Sequence, residues 1–350
     1  MKRILSKMTF FMLLTTILIS CSSDDETDLI EDTPPENTTP LIELEFSASP
    51  IDLQGVNAQF AEDIPYDQYD NTKFDIFLPD STSPTGLAIF IHGGGFTGGD
   101  KSFIYTSEFP QQIVELLTNN IAVATINYRL IQVDDTVGVL KSLNDSKRAL
   151  QYIRYIHQEL NIDRNRIVLF GSSAGASTAL WLATNDDFRD TTNVDPVLQE
   201  STRVSGIALR ATQSSLDIEN RWINDVFIDF GVTLEDLFEV YTEERIYNFY
   251  GVNSIEAYES PEIDAYRRSV DMLSLISSDD PEIWIQNTGT PNGAPVNQGN
   301  FNHHPFHARE IQQRAENVGV PNAAIYGNPV IFDEQDNEGV IEFFIRKLGQ

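Results

Sequence analysis

The run Gly171-Ser172-Ser173-Ala174-Gly175 constrains the fold of this chain more than any other feature of the sequence. It lies between an apolar stretch at 166–170, which is typical of a strand, and a small-residue segment at 176–183 with helical character. A sharp strand-to-helix turn needs glycine on both sides, because side chains would obstruct the close passage of the chain. The pattern predicts a nucleophilic Ser173 at strained dihedrals, with the N–H of Ala174 at the start of the helix. The alternative is a small-residue turn with no catalytic task.

A second glycine run, His92-Gly93-Gly94-Gly95-Phe96, follows the apolar segment 87–91. Consecutive glycines leave the N–H groups of Gly93 and Gly94 free to turn towards a ligand oxygen. Together with the Ala174 N–H they predict an oxyanion hole, in which His92 fixes the loop by hydrogen bonding and need not titrate. A phosphate-binding loop is disfavoured, because no Lys-Ser/Thr pair follows at Walker spacing.

Strand-like and helix-like segments alternate from Lys73 onward, which predicts a mostly parallel sheet with helices on both faces. Apolar residues at 139–160 recur at spacings of three, four and seven and predict a long helix, with His157 on its solvated side. The predicted strands are 73–78, 87–91, 121–128, 166–170, 204–210, 282–286 and 323–326.

Residues 218–280 interrupt this alternation with many aromatic side chains, many acidic residues and no clean strand. Functional insertions concentrate on loops above a rigid scaffold, so the segment predicts a helical cap over the site. A peripheral helical layer is the alternative.

The two glycine motifs, together with Asn127-Tyr128-Arg129-Leu130 and Gly99-Asp100-Lys101-Ser102, resemble the esterase/lipase branch of the α/β-hydrolases. That branch includes hormone-sensitive-lipase-like and feruloyl-esterase-like enzymes and kynurenine formamidases. The resemblance extends from about residue 64 to the C-terminus and is strongest over 73–183. It implies the α/β-hydrolase fold and hydrolysis of a carboxylic ester through an acyl-enzyme on Ser173, with no metal or cofactor.

The catalytic base does not follow directly from the resemblance. Such enzymes usually carry an aspartate after the seventh strand and the histidine after the eighth, but no histidine follows His307 and 283–309 contains no Asp or Glu. With His92 in the oxyanion turn and His157 on a helix, the base is predicted among three residues of one loop. The order of preference is His304, then His303, then His307.

Two further features are an acid that would orient the histidine and a possible metal site in the histidine loop. Asp217, after the strand at 204–210, is the preferred acid, and Asp333 and Asp336 compete with it. The His-His-x-x-His spacing could bind zinc, but only Glu310 lies nearby to complete a ligand set. No metal is predicted.

The N-terminus is predicted to direct export. Residues 1–20 combine an early positive charge with a short apolar run, which is typical of a signal peptide. Cys21 ends a segment that resembles a bacterial lipobox, which implies lipidation by acyl chains such as palmitate. Residues 21–40 are predicted to be an acidic tether, and 41–350 one hydrolase domain. The location implied is the outer membrane, facing the periplasm or the cell surface.

The predicted partner is a small-molecule or polysaccharide ester, with a small or medium acyl group such as acetyl or feruloyl. The formal charge of −30 disfavours nucleic acid as a partner, because the surface repels phosphate. Two alternatives stay open: a pseudoenzyme that keeps the pocket but only binds, suggested by the missing C-terminal histidine, and a formamidase-like amidase.

Overall fold

A nine-stranded sheet forms the centre of the part of the chain that the computed structural model describes, residues 41–349. The order across the sheet is β1-β2-β4-β3-β5-β6-β7-β8-β9. Neighbours from β4 to β8 run parallel, whereas β1, β2 and β9 pair antiparallel at the edges. The strands are β1 Ala58–Pro65, β2 Lys73–Pro79, β3 Thr85–Ile91, β4 Ile121–Ile126, β5 Ile162–Ser172, β6 Gly206–Arg210, β7 Glu282–Asn287, β8 Asn322–Gly327 and β9 Val330–Asp333.

Eleven α-helices accompany the sheet within the described residues. They are α1 Phe109–Thr118, α2 Val139–Tyr155, α3 Ala174–Thr184, α4 Leu234–Tyr241, α5 Glu243–Phe249, α6 Ile255–Tyr258, α7 Pro261–Ser269, α8 Met272–Leu275, α9 Gln298–Asn302, α10 Pro305–Val318 and α11 Val340–Leu348. Short 3₁₀ turns occupy Lys101–Tyr105, Pro196–Gln199 and Ile228–Phe230, and Ile218–Val226 is π-helical. None of these helices has the length and apolar character needed to cross a membrane.

The core divides into two layers because successive side chains of a strand point to opposite faces of the sheet. In β3, Leu87, Ile89 and Ile91 pack with α2 and α3, whereas Ala88 and Phe90 pack with α1 and α11. A parallel sheet buried on both faces needs such continuous apolar strands, and every residue of β3 and β4 is buried.

Several predicted elements differ from the structure at their ends. The helix predicted at 139–160 ends at Tyr155, because the chain then turns through Asn161, whose φ is +49°, into β5. Ile156 and Leu160 stay buried in this turn, so their apolar spacing reflects the core rather than a longer helix. His157 is half-buried, with Nδ1 2.9 Å from the carbonyl oxygen of Arg154.

The segment predicted as a cap, 218–280, connects β6 to β7, and all of its secondary structure is helical. It contains the π-helical stretch and α4 to α8. The predicted signal peptide, lipidation at Cys21 and the tether lie outside the described residues and stay predictions.

Three glycines allow the turn after β5 to pass against the end of β3. A Cβ on Gly175 would lie 1.9 Å from the carbonyl oxygen of Ile91, and one on Gly171 would lie 2.2 Å from the carbonyl of Gly175. A Cβ on Gly93 would lie 2.7 Å from the carbonyl oxygen of Ser172. All three clashes are with backbone, which cannot rotate away as a side chain can. Glycine at 93, 171 and 175 is therefore a steric requirement of the turn.

We expect Gly175→Ala to lower the free energy of unfolding by about 3 kcal/mol, because an overpacked backbone contact must open the junction of β3 and α3. Urea unfolding followed by circular dichroism measures this loss. Gly293→Ala is the matched control, since no atom lies within 4 Å of a Cβ at that position. Equal stability of the two variants would contradict the steric requirement.

Candidate active site

Ser173 lies at the turn between β5 and α3 with a left-handed φ of +54° and a ψ of −121°. This conformation is costly for a residue with a side chain and persists only where the surrounding structure imposes it. The Ser173 N–H donates to the carbonyl of Arg210 at 2.9 Å, which fixes the turn to the neighbouring strand β6. The Ser173 side chain is left half-buried at the carboxyl end of the parallel strands.

The imidazole of His303 contacts the serine directly. Ser173 Oγ lies 2.8 Å from His303 Nε2, within ordinary hydrogen-bond distance. The serine hydroxyl donates this bond when Nε2 is unprotonated, so His303 then carries its proton on Nδ1. The structure therefore brings together a serine hydroxyl and an imidazole nitrogen, a pair in which the imidazole can activate the hydroxyl.

His304 was predicted as the preferred base, but it does not contact Ser173. It is fully buried and makes two hydrogen bonds that leave neither ring nitrogen for Ser173. Its Nδ1 accepts from the backbone N–H of Phe306 at 3.2 Å and caps α10, and its Nε2 donates to the carbonyl of Gly293 at 3.0 Å.

His307 is also engaged elsewhere. Its Nδ1 accepts from the Ser214 N–H at 3.2 Å, so Nε2 carries the proton and donates to the carbonyl of Phe301 at 2.9 Å. Complete burial lowers the pKa of His307 to about 3, which keeps it neutral. His307 is therefore a structural tie between the loop after β6 and the turn that carries His303.

No carboxylate among residues 41–349 hydrogen-bonds or ion-pairs with His303. Asp217, the predicted acid, contacts other groups. It accepts hydrogen bonds from the backbone and side-chain nitrogens of Asn220, at 3.2 and 2.8 Å, and caps the π-helical stretch. Burial raises the pKa of Asp217. The competitors Asp333 and Asp336 are exposed beside β9. His303 follows β7, where the resemblance places an acid rather than the base.

Three buried side chains instead hold the backbone around His303. Gln213 Nε2 donates to the carbonyl of Asn302 at 2.7 Å, and Asn287 Nδ2 donates to that of His304 at 3.3 Å. The bond from His307 to Phe301 is the third. These donors come from the ends of β6 and β7 and from α10. They fix the path of the chain on both sides of His303, and sequence reasoning missed two of them.

Gln213 also joins the base to the nucleophile. Its Oε1 accepts from Ser177 Oγ at 2.7 Å, and the Ser177 N–H donates to the carbonyl of Ser173 at 3.0 Å. One amide side chain therefore connects the first turn of α3 with the turn that precedes His303. The position and amide chemistry of Gln213 carry no local motif from which this role could be predicted.

The glycine turn after β3 lies beside the serine. A Cβ on Gly93 would be 3.1 Å from Ser173 Cβ, and within the described chain no hydrogen-bond acceptor faces the N–H of Gly93 or Gly94. Together with the Ala174 N–H at the start of α3, these are the groups named for the oxyanion hole, which stays a prediction.

His92 and Tyr128 hold the glycine turn after β3 in place. His92 Nδ1 lies 2.7 Å from the carbonyl oxygen of Gly93, and Tyr128 donates from its hydroxyl to the carbonyl of His92 at 2.8 Å. The two rings stack with centroids 4.3 Å apart. Burial lowers the pKa of His92, so its imidazole is neutral and acts in the structural role predicted for it.

Two cavities meet at Ser173. The first, which we call the acyl cavity for the role proposed for it below, measures about 60 Å³, is mainly apolar and extends under the helical segment 218–280. The second, which we call the leaving-group cavity on the same basis, measures about 460 Å³ and contains the glycine turn, Ser173 and His303. Side chains of the helical segment therefore form part of the wall around the serine. The acyl cavity is lined by Gly95, Phe96, Ser173, Gln213, Leu216, Ile218, Trp222, Tyr241, Arg245, Ile246, Phe249 and Asn302.

No group of three His, Cys, Asp or Glu side chains in the described range is arranged to hold a metal ion. Glu310, weighed as a zinc ligand with the histidine cluster, instead pairs with Arg309 at 2.8 Å.

Comparison with known proteins agrees with this geometry at the level of the fold. A truncated carbohydrate esterase from gut microbiota matches with a TM-score of 0.57 at 15% identity, over 76% of this chain and 86% of that one. A bifunctional GH43-CE protein of Bacteroides eggerthii matches with a TM-score of 0.56 at 18% identity, over 82% and 38%. This chain has the α/β-hydrolase fold.

Sequence comparison adds a more local similarity. The profile of the family described as BD-FAE matches residues 74–215, which include both glycine motifs. Acetylcholinesterase-1 of Trittame loki is 31% identical over 108 residues, and juvenile hormone esterase of Tribolium castaneum is 30% identical over 102. These matches cover 28% and 26% of this chain but only 18% and 16% of the relatives. The chain spans less than a fifth of either relative.

We expect the pKa of His303 to lie below the ordinary value of 6.5, because burial disfavours the imidazolium and no carboxylate adjoins the ring. Nuclear magnetic resonance titration of labelled histidines measures this pKa, and His303→Gln assigns the signal. A midpoint at or above 6.5 would show that a negative charge reaches the ring.

We expect Gln213→Leu to slow the labelling of Ser173 by a fluorophosphonate about tenfold, because His303 loses its tie to α3 and a small displacement of a reacting group costs rate. Gln335→Leu is the matched control, since Gln335 also donates a buried amide bond to a carbonyl, that of Ile285 at 3.0 Å. Both variants lose about 1–3 kcal/mol of stability. Equal labelling rates would remove Gln213 from the positioning of His303.

Proposed function

We propose that this protein is a serine esterase that cleaves a carboxylic ester through an acyl-enzyme on Ser173. The observation that carries the proposal is the 2.8 Å hydrogen bond between Ser173 Oγ and His303 Nε2 at a strained turn. A buried serine in a structural role has no need of left-handed dihedrals or of an imidazole partner. The similarity of residues 74–215 to the BD-FAE profile supports the same reaction class.

The reaction begins with proton transfer. His303 Nε2 takes the proton of Ser173 Oγ as the oxygen attacks the ester carbonyl, and a tetrahedral oxyanion forms. The N–H groups of Gly93, Gly94 and Ala174 donate to that oxygen, and preorganised donors of this kind are worth about 3–4 kcal/mol each. Collapse of the intermediate breaks the bond to the alcohol oxygen, which receives the proton from His303 Nε2. The acyl group is then bonded to Ser173.

Deacylation repeats these steps with water. His303 accepts a proton from the attacking water, a second oxyanion forms in the same hole, and Ser173 leaves with the proton returned by His303. The products are a carboxylic acid and a free serine. No carboxylate of residues 41–349 contacts the His303 imidazole. Its position is therefore set by the hydrogen bonds that Gln213, Asn287 and His307 donate to the backbone on either side of it.

The cavities indicate which part of the ester lies where. The acyl cavity has apolar walls that suit a small or medium acyl chain. The leaving-group cavity contains His303, which must reach the departing alcohol oxygen. We propose an acetyl or similar acyl ester of a carbohydrate as the substrate class, supported by the carbohydrate esterase among the proteins of similar fold. Anchoring through Cys21 at the cell envelope is a further part of this proposal.

The test is hydrolysis of 4-nitrophenyl acetate, 4-nitrophenyl butyrate and acetylated xylan by the wild type and four variants, Ser173→Ala, His303→Gln, His304→Gln and His157→Gln. We expect Ser173→Ala and His303→Gln each to lower kcat about 10³-fold or more, because nucleophile and base act as a unit. His157→Gln is the histidine control, since His157 lies after α2 outside the cavities around Ser173.

Failure of the proposal has a distinct signature. If the wild type is no faster than Ser173→Ala on every ester, and a fluorophosphonate does not label Ser173, the pocket binds without cleaving. Loss of activity in His304→Gln but not in His303→Gln would overturn the assignment of the base.

A further inference from the structure

Arg245 occupies a distinctive place at the entrance to the site. It lies in α5 of the helical segment, is exposed to solvent, and lines both the acyl cavity and the leaving-group cavity. It also lines an outer cavity of about 420 Å³, which contains Gly95, Thr97, residues 131–133, Thr242, Glu244, Asn248 and Phe249. Of the lysines and arginines described, only Arg245 lines these three cavities. One guanidinium therefore adjoins both of the cavities that contain Ser173.

The guanidinium lies against the oxyanion turn. A Cβ on Gly95 would be 3.5 Å from Arg245 Nη2, so the cation is next to the third glycine of that turn. Arg245 Nη1 donates to Gln298 Oε1 at 2.9 Å, which tethers the side chain to α9 without neutralising it. Arg245 Nη2, the nitrogen nearer Gly95, makes no hydrogen bond within residues 41–349.

The charge of Arg245 is also unpaired with any carboxylate. In the described chain no Asp or Glu oxygen lies within 4 Å of its nitrogens, although the protein has 53 acidic and 23 basic residues. Its neighbours differ: Arg221 pairs with Asp225 and Asp271, and Arg267 pairs with Glu219, all at 2.8–2.9 Å. Arg210, beside His303 in another cavity, pairs with Glu108. An unneutralised cation at this position in so acidic a protein suits an anionic ligand.

We propose that Arg245 binds a carboxylate on the alcohol part of the substrate, so that the preferred substrate is an ester of a carboxylate-bearing alcohol such as an acylated uronic acid. This inference rests on the proposed function. The alcohol side is assigned because the leaving-group cavity contains both His303, which protonates the alcohol oxygen, and Arg245. The acyl cavity also contains Arg245, but it lacks His303, and its other walls are mainly apolar, so a carboxylate that enters it gives up hydration for a largely apolar surface.

The test compares two acetate esters that differ in one charge, 4-acetoxybenzoate and its neutral isostere 4-acetoxybenzamide. The ratio of their kcat/KM values is measured at low ionic strength for the wild type, Arg245→Gln and Arg268→Gln. Comparing the ratio among proteins cancels the intrinsic difference between the two phenols. Arg268 is the matched control, because it is an exposed arginine of the same helical segment and lines none of the three cavities.

We expect Arg245→Gln to lower the ratio about tenfold, as loss of one charge-assisted hydrogen bond predicts, and Arg268→Gln to leave it at the wild-type value. Added salt lowers the wild-type ratio by screening the same charge. An unchanged ratio in Arg245→Gln, or an equal fall in Arg268→Gln, would overturn the proposal.

A binding measurement tests Arg245 independently of turnover. Calorimetric titration of 4-hydroxybenzoate and 4-hydroxybenzamide into Ser173→Ala, with and without Arg245→Gln, compares the same charge in the product. Tighter binding of the carboxylate that disappears with Arg245 supports the inference even if no ester is cleaved. Equal binding of the two phenols by Ser173→Ala would overturn it, whatever the fate of the esterase proposal.

Discussion

The passage of Gly175 against the carbonyl of Ile91 is the contact on which the rest of the site depends. It brings the start of α3 onto the end of β3, and so places the nucleophile turn and the oxyanion turn side by side. Parallel pairing of β3 with β5 sets the register of this approach, with Ile91 opposite Gly171. The left-handed φ of Ser173 lies in this same turn, between Gly171 and Gly175. The geometry of the site therefore depends directly on the packing of the backbone.

His303, the proposed base, lies in the connection between β7 and α10. His303 follows β7, and the tight β8–β9 hairpin takes the place where the resemblance puts a histidine. An imidazole that has no carboxylate partner must be held by other means. Hydrogen bonds to the carbonyls of residues 301, 302 and 304 restrict the backbone on both sides of the ring. Such bonds set position but add no charge, so they leave the pKa of His303 to burial alone.

The sequence predicted those features that local chemistry determines. Ser173 and the glycines around it form a motif whose steric logic is contained in five residues, and the structure shows the contacts that require them. The choice between His303 and His304 could not be made in this way, because adjacent residues of one turn point in different directions and only the fold shows which meets Ser173. Gln213 was missed because its partners are 36 and 89 residues away along the chain. The edge strand β1 was missed because polar and acidic residues interrupt its apolar pattern, and β9 because it has only four residues.

Every side chain assigned to the site lies before residue 308, which leaves β8, β9 and α11 with a supporting task only. Phe344 of α11 packs edge-on against Phe170 of β5, with ring centroids 5.6 Å apart, so the C-terminal helix supports the strand that presents Ser173. A substitution in these three elements can therefore reach the site only indirectly, by shifting a strand that they support. The exposed Val330 and Ile331 of β9 lack even that route to the site.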